Sequence, residues 1–124
     1  MVYLAVAFGG ALGAVSRYWM YNSWTKLTAY QFPFVTLLVN VLGSLLIGIT
    51  FVLLVERAHL SLEWRNVVNV GFLGAFTTFS TFSLDAVELL EQGQFSQAFL
   101  YIVGSVVVCI LATWLGLSVT RILF

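Results

Sequence analysis

The sequence predicts an all-α integral membrane protein with four transmembrane helices, and three observations support this prediction. The chain of 124 residues is 61% hydrophobic and only 8% charged, whereas soluble globular domains carry about 25% charged residues. The charges divide the chain into four apolar runs, each near or above the roughly 20 residues that cross the hydrocarbon core of a bilayer. The segments between the runs are short, so we expect residues 1–124 to form a single transmembrane domain.

The four spans follow one another along the chain. We place them at about residues 2–21, 33–55, 66–90 and 95–120. The first has no basic segment and no small-residue cleavage site, so we interpret it as a retained helix and not as a signal peptide. Pro33 suits the start of the second helix. The expected connections are loops at residues 22–32 and 56–63 and a turn at 92–94.

The charge balance excludes one class of partner. Five basic and five acidic side chains give a formal net charge of zero, and no basic face is present to attract phosphate groups. Nucleic acid is therefore not expected to bind. The single cysteine, Cys109, lies among Val and Ile in the fourth span and is interpreted as a small apolar packing residue.

The basic residues give almost no preference for one orientation in the membrane. One face would carry Arg57, Arg65 and Arg121, and the other would carry Lys26 and Arg17. Because orientation follows the excess of Lys and Arg on the cytoplasmic side, such a chain can insert both ways, which would allow an antiparallel dimer of identical subunits. The alternative is a fixed orientation that so small a difference does not reveal.

The segment 71–85, with the sequence GFLGAFTTFSTFSLD, is the most unusual part of the chain. Irregular or polar backbone inside a membrane persists only where protein or a water-filled path surrounds it. Glycine and threonine both weaken a helix, so we predict a break between Gly74 and Thr78. Carbonyl groups released there are neutral, hard oxygens suited to Na⁺. The alternative is a continuous helix whose threonine hydroxyls bond carbonyls one turn back.

Two phenylalanines follow the predicted break. Phe79 and Phe82 are three residues apart and share a helix face if the helix has resumed. Because the rim of an aromatic ring is electropositive, rings presented edge-on can contact an anion without a formal positive charge that would trap it. The alternative is ordinary packing. Interleaved hydroxyls favour the anion hypothesis, since they can donate to an anion or its water; they belong to Ser80, Thr81 and Ser83.

Other polar side chains lie inside the second and fourth spans. Asn40 can donate to the same path, or it can serve as a hydrogen-bonding contact between helices worth about 1 kcal/mol. In the fourth span, polar side chains recur every four residues, a stripe that drifts by about 40 degrees per step in a helix of 3.6 residues per turn. We therefore expect it to line a path only in part. The stripe consists of Tyr101, Ser105, Cys109 and Thr113.

Charged side chains lie near the ends of the spans. Arg17 is the only charge inside the first span; it can snorkel to the interface, attract anions to a vestibule or bond carbonyls of the break. Asp85, Glu88 and Glu91 cluster toward the end of the third span. No deep carboxylate is left to relay protons, so passive conduction is favoured over pumping.

These features together resemble the Fluc (CrcB) family of bacterial fluoride channels. The resemblance rests on GAFTTFSTFS at 74–83, on Asn40, on G-x-x-G-x-x-x-R at 10–17 and on four spans in so short a chain. It implies a multi-pass protein of the bacterial inner membrane that passively exports fluoride. It further implies an antiparallel, dual-topology homodimer with two pores and a structural sodium ion between the subunits.

The resemblance also implies roles for individual residues. The backbone carbonyls of Gly74 and Thr77 from both subunits would bind sodium. The ring edges of Phe79 and Phe82 would meet fluoride, and Asn40 would be the asparagine of the pore. The polar track beside them would consist of Ser80, Thr81, Ser83, Tyr101, Ser105 and Thr113.

Arg17 matches the arginine of the family's first helix, but three positions depart from the family pattern. Ala75 stands where a further glycine is common, which would stiffen the break. Asp85 stands where glutamate usually follows STFS, and Cys109 replaces what is often a serine. These departures affect the fine tuning of the path and not the class of protein.

Two other functions compete with the channel. A small proton-coupled drug exporter can also insert both ways, but it needs a deep carboxylate in the first span, where this chain has Arg17. An accessory subunit would use its glycine faces to assemble a larger complex. Fluoride efflux from liposomes favours the channel, growth protection against cationic dyes the exporter, and isolation only in an inactive hetero-complex the subunit.

Overall fold

The computed structural model describes residues 1–24, 26 and 31–124. Within them the regular elements are helical, and we number them in chain order. The helices are α1 (Val2–Ser23), α2 (Phe34–Arg57), α3 (residues 62–76), α4 (Phe79–Glu91) and α5 (Phe95–Leu123). Three described stretches are long and apolar enough to cross a membrane, namely Phe34–Arg57, Leu62–Glu91 and Phe95–Leu123. The predicted all-α membrane fold is confirmed.

Helix α1 is less apolar than these three stretches. At 22 residues it would extend about 33 Å at 1.5 Å per residue, which is enough to cross a bilayer, but its last third contains Arg17 and is more polar. The second and third helices contain wider, π-helical turns at Phe51–Arg57 and Asn66–Leu73. Such turns are rare and are frequent near functional sites.

The third span is interrupted where the glycines and threonines predict it. Helix α3 ends at Phe76 and α4 starts at Phe79. Between them Thr77 (φ −79°, ψ 159°) and Thr78 (φ −152°, ψ 118°) adopt extended backbone. The predicted break in the third helix is confirmed.

Helix ends and connections differ in detail from the apolar spans. The helical conformation of α2 runs to Arg57 and that of α3 begins at Leu62, so the connection between them is residues 58–61. Charged residues near a helix end can reach water along their own side chains, so these helices extend past the charges at which the sequence predicted a loop. The predicted loop at 22–32 falls partly on residues 25 and 27–30, which lie outside the described residues.

The turn between α4 and α5 has a geometry that glycine provides. Gly93 has φ 73°, a left-handed conformation that costs glycine little. Its amide donates to the Leu90 carbonyl at 3.0 Å, and the Gln94 amide donates to the Leu89 carbonyl at 2.8 Å. These two bonds form a Schellman motif, which satisfies the last carbonyls of α4 and reverses the chain into α5.

The helices pack as two close pairs, α1 with α3 and α2 with α5, and α4 packs on α5. Glycine permits the closest approaches. A Cβ on Gly13 would overlap the Phe72 carbonyl, and one on Gly48 would overlap the Thr113 carbonyl. Small residues at such crossings let transmembrane backbones approach, so these helix pairs are in contact through their main chains.

Candidate functional site

The break is closed on its C-terminal side by a helix cap. Thr78 is the N-cap of α4, and its Oγ1 accepts the Thr81 amide at 3.1 Å. A threonine cap of this kind stabilises a helix by about 1 kcal/mol. On the other side, the Thr77 hydroxyl donates to the Leu73 carbonyl at 3.0 Å. That bond is the one expected for a continuous helix, but the backbone leaves the helix at Thr77 all the same.

Asn40 on α2 holds the extended residue Thr78 at both of its backbone polar groups. The Thr78 amide donates to Asn40 Oδ1 at 2.8 Å, and Asn40 Nδ2 donates to the Thr78 carbonyl at 3.0 Å. The side-chain amide thus replaces the partners that a helix would have supplied. Since unpaired backbone groups inside a membrane cost several kcal/mol each, the two bonds from Asn40 stabilise an interrupted helix at this depth.

Two amides that would continue the helix are redirected. In an uninterrupted helix the Thr78 amide would bond the Gly74 carbonyl and the Thr81 amide would bond the Thr77 carbonyl. Instead these amides donate to Asn40 Oδ1 and to Thr78 Oγ1. The carbonyl oxygens of Gly74 and Thr77 are therefore released from the helical ladder.

Arg17 reaches the break from α1. Its Nη1 donates to the Thr77 carbonyl at 3.2 Å, and the residue is half-buried. Of the three roles that the sequence left open for Arg17, the structure displays the bond to a carbonyl of the break. Two side chains from two different helices thus hold the two extended residues.

A groove of about 340 Å³ opens beside the break. Its lining combines apolar surface with neutral polar groups, and within the described residues it includes no Asp, Glu, Lys, Arg or His. Four of the predicted pathway residues lie together on it: Asn40, Phe79, Phe82 and Ser105. Its other lining residues are Gly43, Ser44, Ile47, Leu73, Gly74, Thr77, Thr78, Val106 and Cys109.

The two phenylalanine rings occupy different environments. Their centroids are 5.3 Å apart and their planes are inclined at 46°. Phe79 is 77% exposed, whereas Phe82 is 8% exposed and packs against Tyr101 with centroids 5.1 Å apart. Both rings line the groove, but only Phe82 is also part of the hydrophobic core.

The hydroxyls between the rings are engaged locally. Ser83 Oγ donates to the Phe79 carbonyl at 2.9 Å, one turn back along α4. Thr78 Oγ1 donates to Thr81 Oγ1 at 3.0 Å and lies 3.3 Å from Ser80 Oγ. None of the three predicted hydroxyl residues, Ser80, Thr81 and Ser83, is among the described residues that line the groove.

The polar stripe of α5 separates into engaged and free groups. The Tyr101 hydroxyl donates to Asp85 Oδ2 at 3.0 Å, and Thr113 Oγ1 donates to the Ser44 carbonyl at 2.9 Å. Ser105 is 6% exposed, and its hydroxyl has no hydrogen-bond partner within the described part of the chain. Tyr101 and Thr113 lie away from the groove, whereas Ser105 lies on it.

Thr78 is absent from the predicted site residues, although it is held by Asn40 and caps α4. A signal was present, because threonine is a strongly preferred N-cap residue and Thr78 directly precedes the helical run FSTFSLDAVELLE. Gly43 and Ser44 are two further groove residues not predicted for the site. Their only signal is their position one turn beyond Asn40 on α2.

The fold and the groove define a multi-pass helical membrane protein with an interrupted transmembrane helix beside a neutral polar groove. Comparison with known proteins identifies the family of the chain. Residues 4–117 match the family described as CrcB-like protein, Camphor Resistance (CrcB). The chain belongs to this family.

Curated relatives match the chain over nearly its whole length. A protein of Saccharophagus degradans is 46% identical over 121 residues, which cover 98% of this chain and 90% of the relative. One of Hahella chejuensis is 48% identical over 118 residues (95% and 93%), and one of Pseudoalteromonas translucida is 49% identical over 113 residues (91% and 94%). Each of these relatives is named fluoride-specific ion channel FluC.

Proposed function

We propose that the chain forms a passive, fluoride-selective ion channel and is not an enzyme. The observation that carries the proposal is the groove at the helix break, where two phenylalanine rings and neutral donors lie together without an Asp, Glu, Lys, Arg or His among the described lining residues. The names of the full-length relatives support the choice of fluoride. In a bacterial cell such a channel would sit in the inner membrane and let fluoride leave the cytoplasm.

The chemistry of the groove suits an anion that must enter and leave quickly. The positive rims of the Phe79 and Phe82 rings attract an anion weakly, and the unpartnered Ser105 hydroxyl can donate to it or to its water. A fixed Lys or Arg would bind the ion more strongly and slow its departure, since conduction needs sites weak enough to be left. Fast release of the ion therefore favours neutral donors.

Asn40 has a positioning role in this proposal. Its Oδ1 and Nδ2 are both bonded to Thr78, but an amide nitrogen carries two hydrogens, so Nδ2 retains a second one for the groove. The predicted role of Asn40 as the pore asparagine is thus compatible with its contact to the break. Ser80, Thr81, Ser83, Tyr101 and Thr113 remain proposed members of the polar track, in a pathway that extends beyond the groove.

One chain supplies only one wall of the pathway. Phe79 is 77% exposed, and its neighbour Ser80 is also exposed, although both would have to be shielded from lipid in a working pore. A second copy would shield them, and the near equality of basic residues on the two faces permits that copy to be inverted. We therefore propose an antiparallel homodimer with two pores.

The break also suits a structural sodium ion. The carbonyls of Gly74 and Thr77 are released from the helical ladder, and Gly74 is exposed. Two carbonyl oxygens are too few ligands for a sodium ion, but two copies of the chain would supply four. Arg17 occupies one direction on the Thr77 oxygen, and a carbonyl with two lone pairs has room for a second partner. The ion would hold the two breaks together by charge.

Fluoride efflux tests the function. Purified protein in liposomes loaded with potassium fluoride should release fluoride, followed with an ion-selective electrode, when valinomycin lets potassium leave. Liposomes loaded with potassium chloride should release chloride far more slowly. Release of neither ion, or equally fast release of both, contradicts the proposal.

The assembly is tested separately. Light scattering of the purified protein in detergent should give the mass of two chains, and a monomer that conducts would overturn the dimer. Substituting N-methyl-glucamine for sodium throughout purification should lower efflux or thermal stability if sodium is bound. Indifference of both to sodium would remove the ion from the proposal and leave the fluoride pathway standing.

A further inference from the structure

A second groove adjoins the first along α2 and α5. It has a volume of about 390 Å³ and extends toward the C-terminal end of α5, where Trp114 and Leu117 line it. The two grooves share two lining residues, Ser44 on α2 and Cys109 on α5. We call the place where these two residues lie the neck. An ion that moves along this surface from the break toward the end of α5 passes the neck.

Beside the neck, Ser105 lines the first groove and carries a buried hydroxyl without a partner in the described part of the chain. Ser105 lies four residues before Cys109, so the two side chains point to the same side of α5. Its hydroxyl is buried without a partner within the described part of the chain, and such a group costs about 1–3 kcal/mol unless something bonds it. An anion or its accompanying water would satisfy it.

At the neck itself, the reactive group is a thiol. The Thr113 hydroxyl is occupied by the Ser44 carbonyl, whereas Cys109 is a free, half-buried cysteine. A thiol is a weaker hydrogen-bond donor than a hydroxyl but a stronger nucleophile in its deprotonated form. Cys109 thus adds a chemical property to the groove that a serine in its place would not give.

We propose that Cys109 is a modification site on the ion route, at which small thiol-directed electrophiles block conduction. This inference rests on the proposed function of the groove. With methyl methanethiosulfonate, the Cys109 sulfur attacks the sulfenyl sulfur of the reagent, the bond to the sulfonyl sulfur breaks, and methanesulfinate leaves with the electron pair. The thiol proton passes to water. The methylthio group that is added, held as a mixed disulfide, fills space at the neck.

The experiment uses the wild-type channel in liposomes, where Cys109 is the only cysteine. Fluoride efflux is measured before and after treatment with methyl methanethiosulfonate, and intact-protein mass spectrometry counts the added methylthio groups. The variant Cys109→Ser removes the target. A second variant combines Cys109→Ser with Val107→Cys, which moves the thiol to a residue of α5 that is 48% exposed and lines neither groove. Each protein is compared with its own untreated sample.

We expect wild type to gain one methylthio group and to lose fluoride efflux, and Cys109→Ser to do neither. The relocated thiol should be modified without loss of efflux. Modification of wild type that leaves efflux unchanged would overturn the inference. So would a folded wild-type protein that resists the reagent while the denatured protein accepts it.

A further readout separates this inference from the proposed function. The rate of modification of wild type is measured in sodium fluoride and in sodium gluconate of equal concentration. Slower modification in fluoride is expected, because an ion in the groove shields the thiol. If untreated wild type released no fluoride, the channel would be refuted, and the thiol inference would then stand on this protection or fall with its absence.

Discussion

Neighbouring helices contact each other differently at the glycine crossings and at the helix break. At the crossing of α1 and α3, Gly13 lies directly on the Phe72 backbone, and the backbone stays helical on both sides, with π-helical turns in α3. At the break, Thr77 and Thr78 leave the helix, and their backbone groups are bonded by Arg17 and Asn40. At the crossing, the missing side chain of glycine lets the two backbones touch. At the break, two specific side chains bond the backbone that has left the helix.

The difference indicates how stability and function are divided in this molecule. Main-chain contacts between continuous helices leave every backbone group in its ladder, so they stabilise without exposing polar atoms. The break releases carbonyls and places rings and hydroxyls on a groove, which is costly in a membrane unless every freed group is bonded. Substitutions at the crossings should therefore affect folding, and those at the break should affect ion flux as well as stability.

A large loss of stability is expected at a glycine crossing. In Gly13→Ala the new Cβ would overlap the Phe72 carbonyl, and because this neighbour is backbone, α1 and α3 would have to separate. Overpacking of this kind costs about 1–3 kcal/mol and occasionally more. Gly10→Ala is the matched control on the same helix, since its Cβ would lie 4.0 Å from the Gly71 carbonyl. Thermal unfolding in detergent measures both; equal melting temperatures would refute the main-chain contact.

A loss of stability of at least similar size, together with complete loss of flux, is expected when the break loses its partner. Asn40→Leu leaves the Thr78 amide and carbonyl without their side-chain partner, at a cost of about 1–3 kcal/mol for each buried unsatisfied group. Thr50→Val is a control on the same helix, at a residue that lines neither groove. It removes a hydroxyl that lies 2.8 Å from Asn69 Oδ1 and 2.9 Å from the Leu46 carbonyl oxygen. If both variants melt and conduct alike, Asn40 has no special role at the break.

The existence of the break was predictable from the sequence, whereas its support was not. Gly74, Thr77 and Thr78 disfavour helix through local properties that composition alone reveals. The bonds from Arg17 and Asn40 join residues 60 and 38 positions apart, so they depend on which helices are neighbours. The sequence therefore offered several roles for each of these two side chains, and only the packing selects among them.

The spacing of residues along the helices did not predict which side chains line the groove. Phe79 and Phe82 share a helix face, but the spacing of three did not indicate that one ring would be buried beneath Tyr101 and the other exposed. The stripe of α5 drifts around its helix. Its end residues, Tyr101 and Thr113, bond Asp85 and the Ser44 carbonyl, and neither lines the groove. In both cases the partner on the neighbouring helix determines where a side chain points.

The two rings allow flux and stability to be separated. Phe79→Ile and Phe82→Ile keep bulk but remove the ring rim, so both should lower fluoride efflux. Only Phe82→Ile should also lower the free energy of unfolding, by about 1 kcal/mol or more, because Phe82 is 8% exposed and Phe79 is 77% exposed. Phe99→Ile is the control for an exposed ring outside the groove, at 70% exposure. Unchanged efflux in both variants of the break would remove the rings from the mechanism.

The smallest effect on stability, and the clearest effect on function, is expected at Ser105. Its hydroxyl has no partner within the described residues, so Ser105→Ala breaks no bond that this chain makes and should leave the melting temperature unchanged or slightly higher. Efflux should nevertheless fall, because the groove loses a donor. Ser83→Ala is the matched control, since the Ser83 hydroxyl already bonds the Phe79 carbonyl and should contribute less to flux. A clear loss of stability in Ser105→Ala would mean instead that a second copy supplies the missing partner, and unchanged efflux would mean that the hydroxyl does not face the ion.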